Sequence, residues 1–197
     1  QIDIMCGGSQ KVVSAPPGLT FVVVSSDAKK AMTERKTPIA SFYANLTTFA
    51  HYYEEKWFPY TMPISDIYGL RAAFNLIAGD KTLYERHARI GSATRAAVKE
   101  AGLKLHLQSG YSNTVTVFDI PECTDAKSIL DEMRTKYNIM LAGSFDELSG
   151  KVIRIGHMGE NARLEHMVPA LEALSATLTD LGVTLQGNLA DLFLKHY

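Results

Sequence analysis

The 197-residue sequence has few cysteines, almost no net charge and no long apolar run. Its two cysteines, Cys6 and Cys123, form neither a CxxC pair nor a zinc-ligand pattern, which indicates reduced thiols in a cytoplasmic protein. A formal net charge of -1 excludes the basic field that draws proteins to nucleic acid or to anionic membranes. No apolar stretch approaches the ~20 residues of a membrane helix, and the histidines show no metal-ligand spacing such as HExxH. We therefore expect a cytoplasmic globular protein with no metal, nucleic-acid or membrane partner.

The sequence also has no initiator methionine and no polar leader. It opens directly on a strand-like segment, residues 1–6. A strand of the buried type at the first residue indicates that other residues come before it. We therefore expect the chain to be a cleaved or partial piece of a longer protein.

The first part of the chain, about residues 1–80, has the pattern of the end of an α/β domain. The continuous run of β-branched and aromatic residues at 19–25 is typical of a strand covered on both faces. The glycines at 7 and 8, with Ser9, predict a turn. The predicted elements of this part are strands at 1–6 and 19–25 and helices at 26–32, 41–55 and 65–78.

The second part, residues 81–197, has the pattern of a smaller α+β domain with a sheet covered by helices. Apolar residues at helical spacing predict a long amphipathic helix over 162–181. The predicted elements of this part are helices at 81–101, 125–137, 162–181 and 188–195 and strands at 103–107, 114–120, 139–142 and 151–156. The fold class of the whole chain is therefore predicted to be α/β, with domains at 1–80 and 81–197.

A lysine in a tight turn between apolar strands is the first candidate for chemistry. Lys11 follows the Gly-Gly-Ser-Gln turn, where partial desolvation would favour the free amine needed for Schiff-base formation. Ser9 and Gln10 bring a hydroxyl, an amide and backbone N–H groups that could face a phosphate. The alternative interpretation is an ordinary solvated surface lysine.

The second candidate is an arginine on a predicted strand. Alternation along 152–156 places Ile153 and Ile155 on one face and Arg154 on the other, beside the small Gly156. A guanidinium in that position could bind a carboxylate through two parallel hydrogen bonds. The alternative interpretation is a surface ion pair.

These motifs resemble those of one enzyme family. Residues 7–25, GGSQKVVSAPPGLTFVVVS, are similar to the cofactor-lysine segment of the class V pyridoxal-phosphate-dependent aminotransferases, the alanine–glyoxylate and serine–pyruvate group. The resemblance covers nearly the whole chain, in order. It continues through RKT at 35–37, SFY at 41–43, YTMP at 60–63, LR at 70–71 and KVIRIGHMG at 151–159.

The resemblance implies a role for each candidate residue. Lys11 would carry pyridoxal 5'-phosphate, with Ser9 and Gln10 beside the cofactor. Arg154 would bind the substrate α-carboxylate. Thr61 would reach the cofactor phosphate of a neighbouring subunit, so a homodimer is implied, and Tyr60 could assist it.

The fold implied is the C-terminal part of a fold-type I pyridoxal-phosphate-dependent transferase. Residues 1–80 would be the end of the large cofactor-binding domain, and residues 81–197 would be the small α+β domain. In that family the aromatic residue that stacks on the cofactor, the aspartate that pairs with the pyridine nitrogen and the main phosphate loop precede the lysine segment. These 197 residues contain none of them, so a separate N-terminal part is implied, and the isolated chain could be inactive.

The activity implied is transamination between a small amino acid of the alanine or serine type and a 2-oxo acid of the glyoxylate or pyruvate type. One alternative is another class V enzyme, such as a lyase or a pyridoxamine–pyruvate type aminotransferase. A desulfurase would need a mobile catalytic cysteine, and Cys123 has no matching setting. The other alternative is a non-enzymatic fragment or dimerisation module.

Overall fold

The structure is a computed structural model, and it describes residues 2–197. Gln1, the first residue of the predicted strand at 1–6, lies outside the described residues. The chain divides into two compact units, the first ending at Gly79 and the second spanning Asp80–Tyr197. Its class is α/β, as predicted.

The first unit is built around one β-hairpin and one long helix. Strand β1, Ile4–Gly8, pairs antiparallel with β2, Thr20–Val24. Gly7 and Gly8 are therefore the last residues of β1, and the predicted turn at 7–9 is wrong, because the turn begins only after Gly8. Helix α1, Ser26–Glu34, follows β2, and α2, Ile64–Gly79, ends the unit.

Very little of the first unit is buried. Within its described part, the buried residues are Ser9, Ala15 and Ala73. Val23 of β2 is 56% exposed, so the prediction that this strand is covered on both faces is wrong for the described residues. Large apolar and aromatic side chains of this unit, among them Tyr43 and Ile4, are exposed instead.

The second unit holds the hydrophobic core. Its regular elements are helix α3 at Leu83–Glu100, strand β3 at Val115–Asp119, helix α4 at Ala126–Tyr137, strand β4 at Val152–Gly156, helix α5 at Leu164–Asp180 and helix α6 at Leu189–His196. The helices cover one face of the antiparallel β3–β4 pair. Large side chains from these elements are completely buried, including Ile90, Phe118, Ile153, Leu174 and Phe193.

Two predicted strands of this unit are not formed. The segment predicted as a strand at 103–107 makes a single bridge, between Leu105 and Phe118, and the segment at 139–142 makes a single bridge, between Ala142 and Arg154. Each segment runs beside the β3–β4 pair for too few residues to form a regular ladder. They still extend the pair on its two outer sides.

Candidate active site

The loop that carries Lys11 joins β1 to β2 and is closed by one buried serine. The Ser9 N–H donates to the Leu19 carbonyl at 3.0 Å, and the Ser9 carbonyl accepts from the Ala15 N–H at 3.0 Å. The Ser9 hydroxyl donates to the Pro16 carbonyl at 2.6 Å and accepts from the Leu19 N–H at 3.3 Å. Every polar atom of Ser9 is thus used to hold the two ends of the loop together.

The buried position of Ser9 differs from the predicted one, in which its hydroxyl faces a phosphate. Ser9 is completely buried, so its hydroxyl supports the loop and is not presented to a ligand. Gln10 and Lys11 next to it are exposed. The predicted desolvation of Lys11 is wrong for the described residues, because nothing in them covers this side chain.

The backbone around Lys11 is fixed on both sides. The Lys11 N–H donates to the Gly8 carbonyl at 3.2 Å, and the Lys11 carbonyl accepts from the Ser14 N–H at 2.9 Å. Ser14 has a φ of 58°, in the left-handed region that reverses the chain direction. The side chain of Lys11 is exposed, whereas its backbone is held by hydrogen bonds on both sides.

Helix α2 packs against this loop. A Cβ on Gly69 would lie 3.5 Å from the Pro16 ring, and a Cβ on Gly18 would lie 3.2 Å from the Asp66 carboxylate. Gly18 also has a φ of 138°, which favours glycine. The first turns of α2 thereby support the end of the loop that follows the lysine.

Thr61 lies in the short segment before α2, and Tyr60 anchors that segment. The Tyr60 hydroxyl donates to the Tyr43 carbonyl at 3.1 Å, and the two rings stack at 5.1 Å between centroids. The Tyr60 ring also meets the rings of Phe42, Phe49 and Phe58 edge-on. Thr61 itself is exposed, so the aromatic cluster fixes its backbone while its hydroxyl stays accessible.

Arg154 occupies the centre of β4, where the predicted alternation is confirmed. Ile153 and Ile155 point into the core, and Arg154 is half-buried on the other face. Its backbone pairs with Val117 of β3. The side chain is held by a hydrogen bond from Nε to the Gly143 carbonyl and by the Phe145 ring, whose centroid lies 5.0 Å from the guanidinium carbon.

The guanidinium of Arg154 has no acidic partner. Among residues 2–197 no carboxylate lies within ion-pair distance of it, and its two terminal nitrogens make no hydrogen bond. The predicted surface ion pair is therefore not formed in the described chain. A half-buried cation that is oriented from one side and unpaired on the other is suited to bind an anion.

Two buried histidines hold the segment after β4. His157 Nδ1 donates to the Asn113 carbonyl at 3.2 Å, and its Nε2 accepts from the Thr116 hydroxyl at 2.8 Å. Burial lowers the pKa of His157 to about 4, and the charge of Arg95 acts in the same direction. His87 Nε2 accepts from the Gly159 N–H at 3.0 Å. The two rings thus fix the chain on the C-terminal side of Arg154.

Sequence patterns did not identify the two residues that hold the Arg154 side chain. Gly143 and Phe145 contact Arg154 from about ten positions away, and no periodic pattern links them to β4. The predicted cofactor residues of the first unit fall in one loop and one pre-helix segment, whereas Arg154 belongs to the second unit.

The residues present can accommodate pyridoxal phosphate. An exposed lysine amine is the group that forms a Schiff base with the aldehyde of this cofactor, and both Lys11 and the neighbouring Gln10 are exposed. No group of three or more histidine, cysteine or acidic side chains that could hold a metal ion occurs in residues 2–197. No helix in that range is both long and apolar enough to cross a membrane.

Comparison with known proteins identifies the family. An uncharacterised aminotransferase of Methanocaldococcus jannaschii is 36% identical over 185 residues, covering 92% of this chain and 48% of that protein. The serine–glyoxylate aminotransferase of Arabidopsis thaliana is 34% identical over 204 residues, covering 100% of this chain and 50% of that protein. The crystal structure of ureidoglycine–glyoxylate aminotransferase from Bacillus subtilis superimposes with a TM-score of 0.90 at 30% identity, covering 100% of this chain and 52% of that one.

The chain belongs to the class V aminotransferases. The chain spans about half the length of the curated relatives it matches. A scan of protein-family models gave no match to it. The similarity to the Bacillus subtilis structure confirms the predicted fold, that of a pyridoxal-phosphate-dependent aminotransferase.

Proposed function

We propose that the protein carrying this chain transfers an amino group between a small amino acid of the alanine or serine type and a 2-oxo acid of the glyoxylate or pyruvate type. Family membership and the names of the serine–glyoxylate and ureidoglycine–glyoxylate relatives support this reaction class. The observation that carries the proposal is the hydrogen-bonded loop that fixes the Lys11 backbone and leaves its amine exposed.

The proposed functional residues have separate roles. Lys11 would hold pyridoxal 5'-phosphate through Nζ, with Gln10 beside it. The cofactor supplies the electron sink that makes the α-proton acidic. When the Lys11 amine is released by the incoming amino acid, it would take the α-proton and return it. Arg154 would bind the α-carboxylate of the amino acid and of the 2-oxo acid.

The test of the lysine assignment is chemical. Borohydride reduction of the cofactor-loaded protein should fix the cofactor on the peptide that contains Lys11, and Lys11→Ala should remove both the adduct and the visible absorbance. Lys29→Ala is a matched control, because Lys29 is another exposed lysine of the same unit. An adduct on any other lysine would refute the assignment.

A homodimer is part of the proposal. Thr61 is exposed and would complete the phosphate site of a neighbouring subunit, and the exposed apolar side chains of the first unit are compatible with a large interface. Mixing a Lys11 variant with a Thr61 variant should restore activity through heterodimers that each hold one intact site. A fully active monomer would exclude this role.

A cytoplasmic location is proposed because both cysteines are free thiols in the structure. The exposed apolar side chains of the first unit also favour a second candidate, a non-enzymatic dimerisation module. Purified material that binds pyridoxal phosphate and turns yellow would support the enzyme. Colourless dimers would support the module.

A further inference from the structure

Another half-buried arginine of the second unit, Arg95, lies on helix α3. One terminal nitrogen of Arg95 donates to the Ser112 carbonyl at 3.0 Å, and the Tyr111 ring lies 4.8 Å from the guanidinium carbon. Among residues 2–197 no carboxylate lies within ion-pair distance of Arg95. Arg95 is half-buried, and burial lowers its pKa.

Arg95 lines a cavity of about 150 Å³ between α3 and the segment that leads into β3. The walls are mainly apolar and include Leu105, Leu107 and Val117. Two of the polar groups that line it are already engaged, since the Thr116 hydroxyl donates to His157 and the Ser112 carbonyl accepts from Arg95. The remaining N–H groups of Arg95 are the charged donors that the lining offers to a ligand.

The volume of this cavity limits the ligand to a small molecule. About 150 Å³ lies below the ~300 Å³ at which ordinary drug-sized sites begin, and well above the space needed for one water. The positive charge of Arg95 favours an oxyanion, and its planar guanidinium can donate two parallel hydrogen bonds to a carboxylate. The apolar walls favour a ligand with a short hydrocarbon tail.

We propose that this cavity binds a short-chain aliphatic carboxylate, whose two oxygens pair with Arg95 and whose tail packs against Leu105 and Leu107. Arg154 lies on β4 and is not among the residues that line the cavity. The proposal therefore does not depend on the proposed transamination.

Sodium butyrate is the probe, and the methyl signals of Leu105 and Leu107 in carbon-13 spectra of the 197-residue chain are the readout. Butyrate should give saturable shifts of these signals. Sodium chloride at equal ionic strength, and uncharged butyramide, should not. In Arg95→Met the apparent Kd should rise about tenfold or more, as expected for the loss of charged hydrogen bonds.

Two further variants distinguish binding in the cavity from binding at Arg154 or elsewhere on the chain. Arg154→Met should leave the butyrate-induced shifts of the cavity methyls unchanged. Leu107→Trp keeps Arg95 but fills the cavity, and it should abolish the shifts. Leu107 is 47% exposed, so this change tests the cavity even if Arg95→Met fails to fold.

Four results would overturn the proposal. The first three are equal shifts with butyramide, an unchanged apparent Kd in a folded Arg95→Met chain, and butyrate binding that is unaffected by Leu107→Trp. Absence of any butyrate effect on the wild-type chain would also overturn it, and would leave Arg95 as a packing residue held by Ser112 and Tyr111.

Discussion

The ring of Phe21 lies directly over Gly7 on the paired strand. The two residues face each other across the β1–β2 hairpin, and a Cβ placed on Gly7 would come within 2.0 Å of the ring. Phe21 in turn contacts Phe74 of α2, with ring centroids 5.8 Å apart. Gly7 is therefore required by the ring that joins the hairpin to the helix.

Gly7→Ala should destabilise the first unit. The new methyl group must displace Phe21 from Phe74, and overpacking of this kind typically costs about 1–3 kcal/mol. Thermal unfolding of the variant checks the prediction. Gly79→Ala is the matched control, because nothing lies near its Cβ position and alanine is favoured over glycine in a helix. Equal melting temperatures for Gly7→Ala and the wild type would contradict the prediction.

Ser9→Ala should loosen the lysine loop. The change leaves the Pro16 carbonyl and the Leu19 N–H without their hydroxyl partner. Pro16 is exposed and Leu19 is half-buried, so the loss is that of ordinary hydrogen bonds, about 0.5–1.5 kcal/mol each. We expect faster amide exchange across residues 9–19 and slower attachment of pyridoxal phosphate to Lys11. Ser65→Ala, an exposed serine of α2, should change neither. Unchanged exchange in Ser9→Ala would show that the hydroxyl is dispensable.

Arg154→Lys should weaken the binding of amino acids and 2-oxo acids by about one to three orders of magnitude. Lysine keeps the charge but loses the two-pronged geometry, and each ~1.4 kcal/mol corresponds to a factor of ten. Apparent affinities for alanine, serine and glyoxylate provide the measurement, with Arg134→Lys as an exposed control. An amine without a carboxylate should be affected far less. If the variant is folded, holds cofactor and binds alanine normally, the carboxylate role is wrong.

Acidification should destabilise the second unit through His157. The unfolded ring has a pKa near 6.5 and the folded one about 4, so the unfolded state takes up the proton first. Stability is therefore lost as the pH falls from about 6.5 to about 4, by roughly 3 kcal/mol for a shift of this size.

Urea unfolding at several pH values measures this loss. His157→Gln should flatten the pH dependence in that window, and His51→Gln, an exposed control, should not. The groups that act on His157 electrostatically are Arg95 and His87. The Asp80 carboxyl does not interfere, because its hydrogen bond with Arg86 lowers its pKa to about 2. An unchanged slope in His157→Gln would assign the acid sensitivity to another group.

Sequence patterns predicted the helices of the second unit to within two residues at each end. Apolar residues at helical spacing are buried there, so the pattern and the packing agree. The alternation around Arg154 was predicted for the same reason, because Ile153 and Ile155 are both core residues.

The prediction of a helix at 41–55 was wrong. The structure has only the 3-10 turn Leu46–Phe49 in that range, capped by the Asn45 side chain, which accepts from the Thr47 N–H. The aromatic residues there do not form a helical stripe. They contact Tyr60, which is distant in sequence, and contacts of that kind override local propensity.

The exposed edges of the β1–β2 hairpin affect the order in which parts of the chain unfold. Among the described residues each of its strands has a hydrogen-bonded neighbour on one side only, so the backbone groups of the outer edges meet solvent or another strand. Two-stranded ribbons without a covering core are marginal in water. We expect the amides of this ribbon to exchange with deuterium long before those of α5. Lys11 would then lie in the part of the molecule that unfolds first.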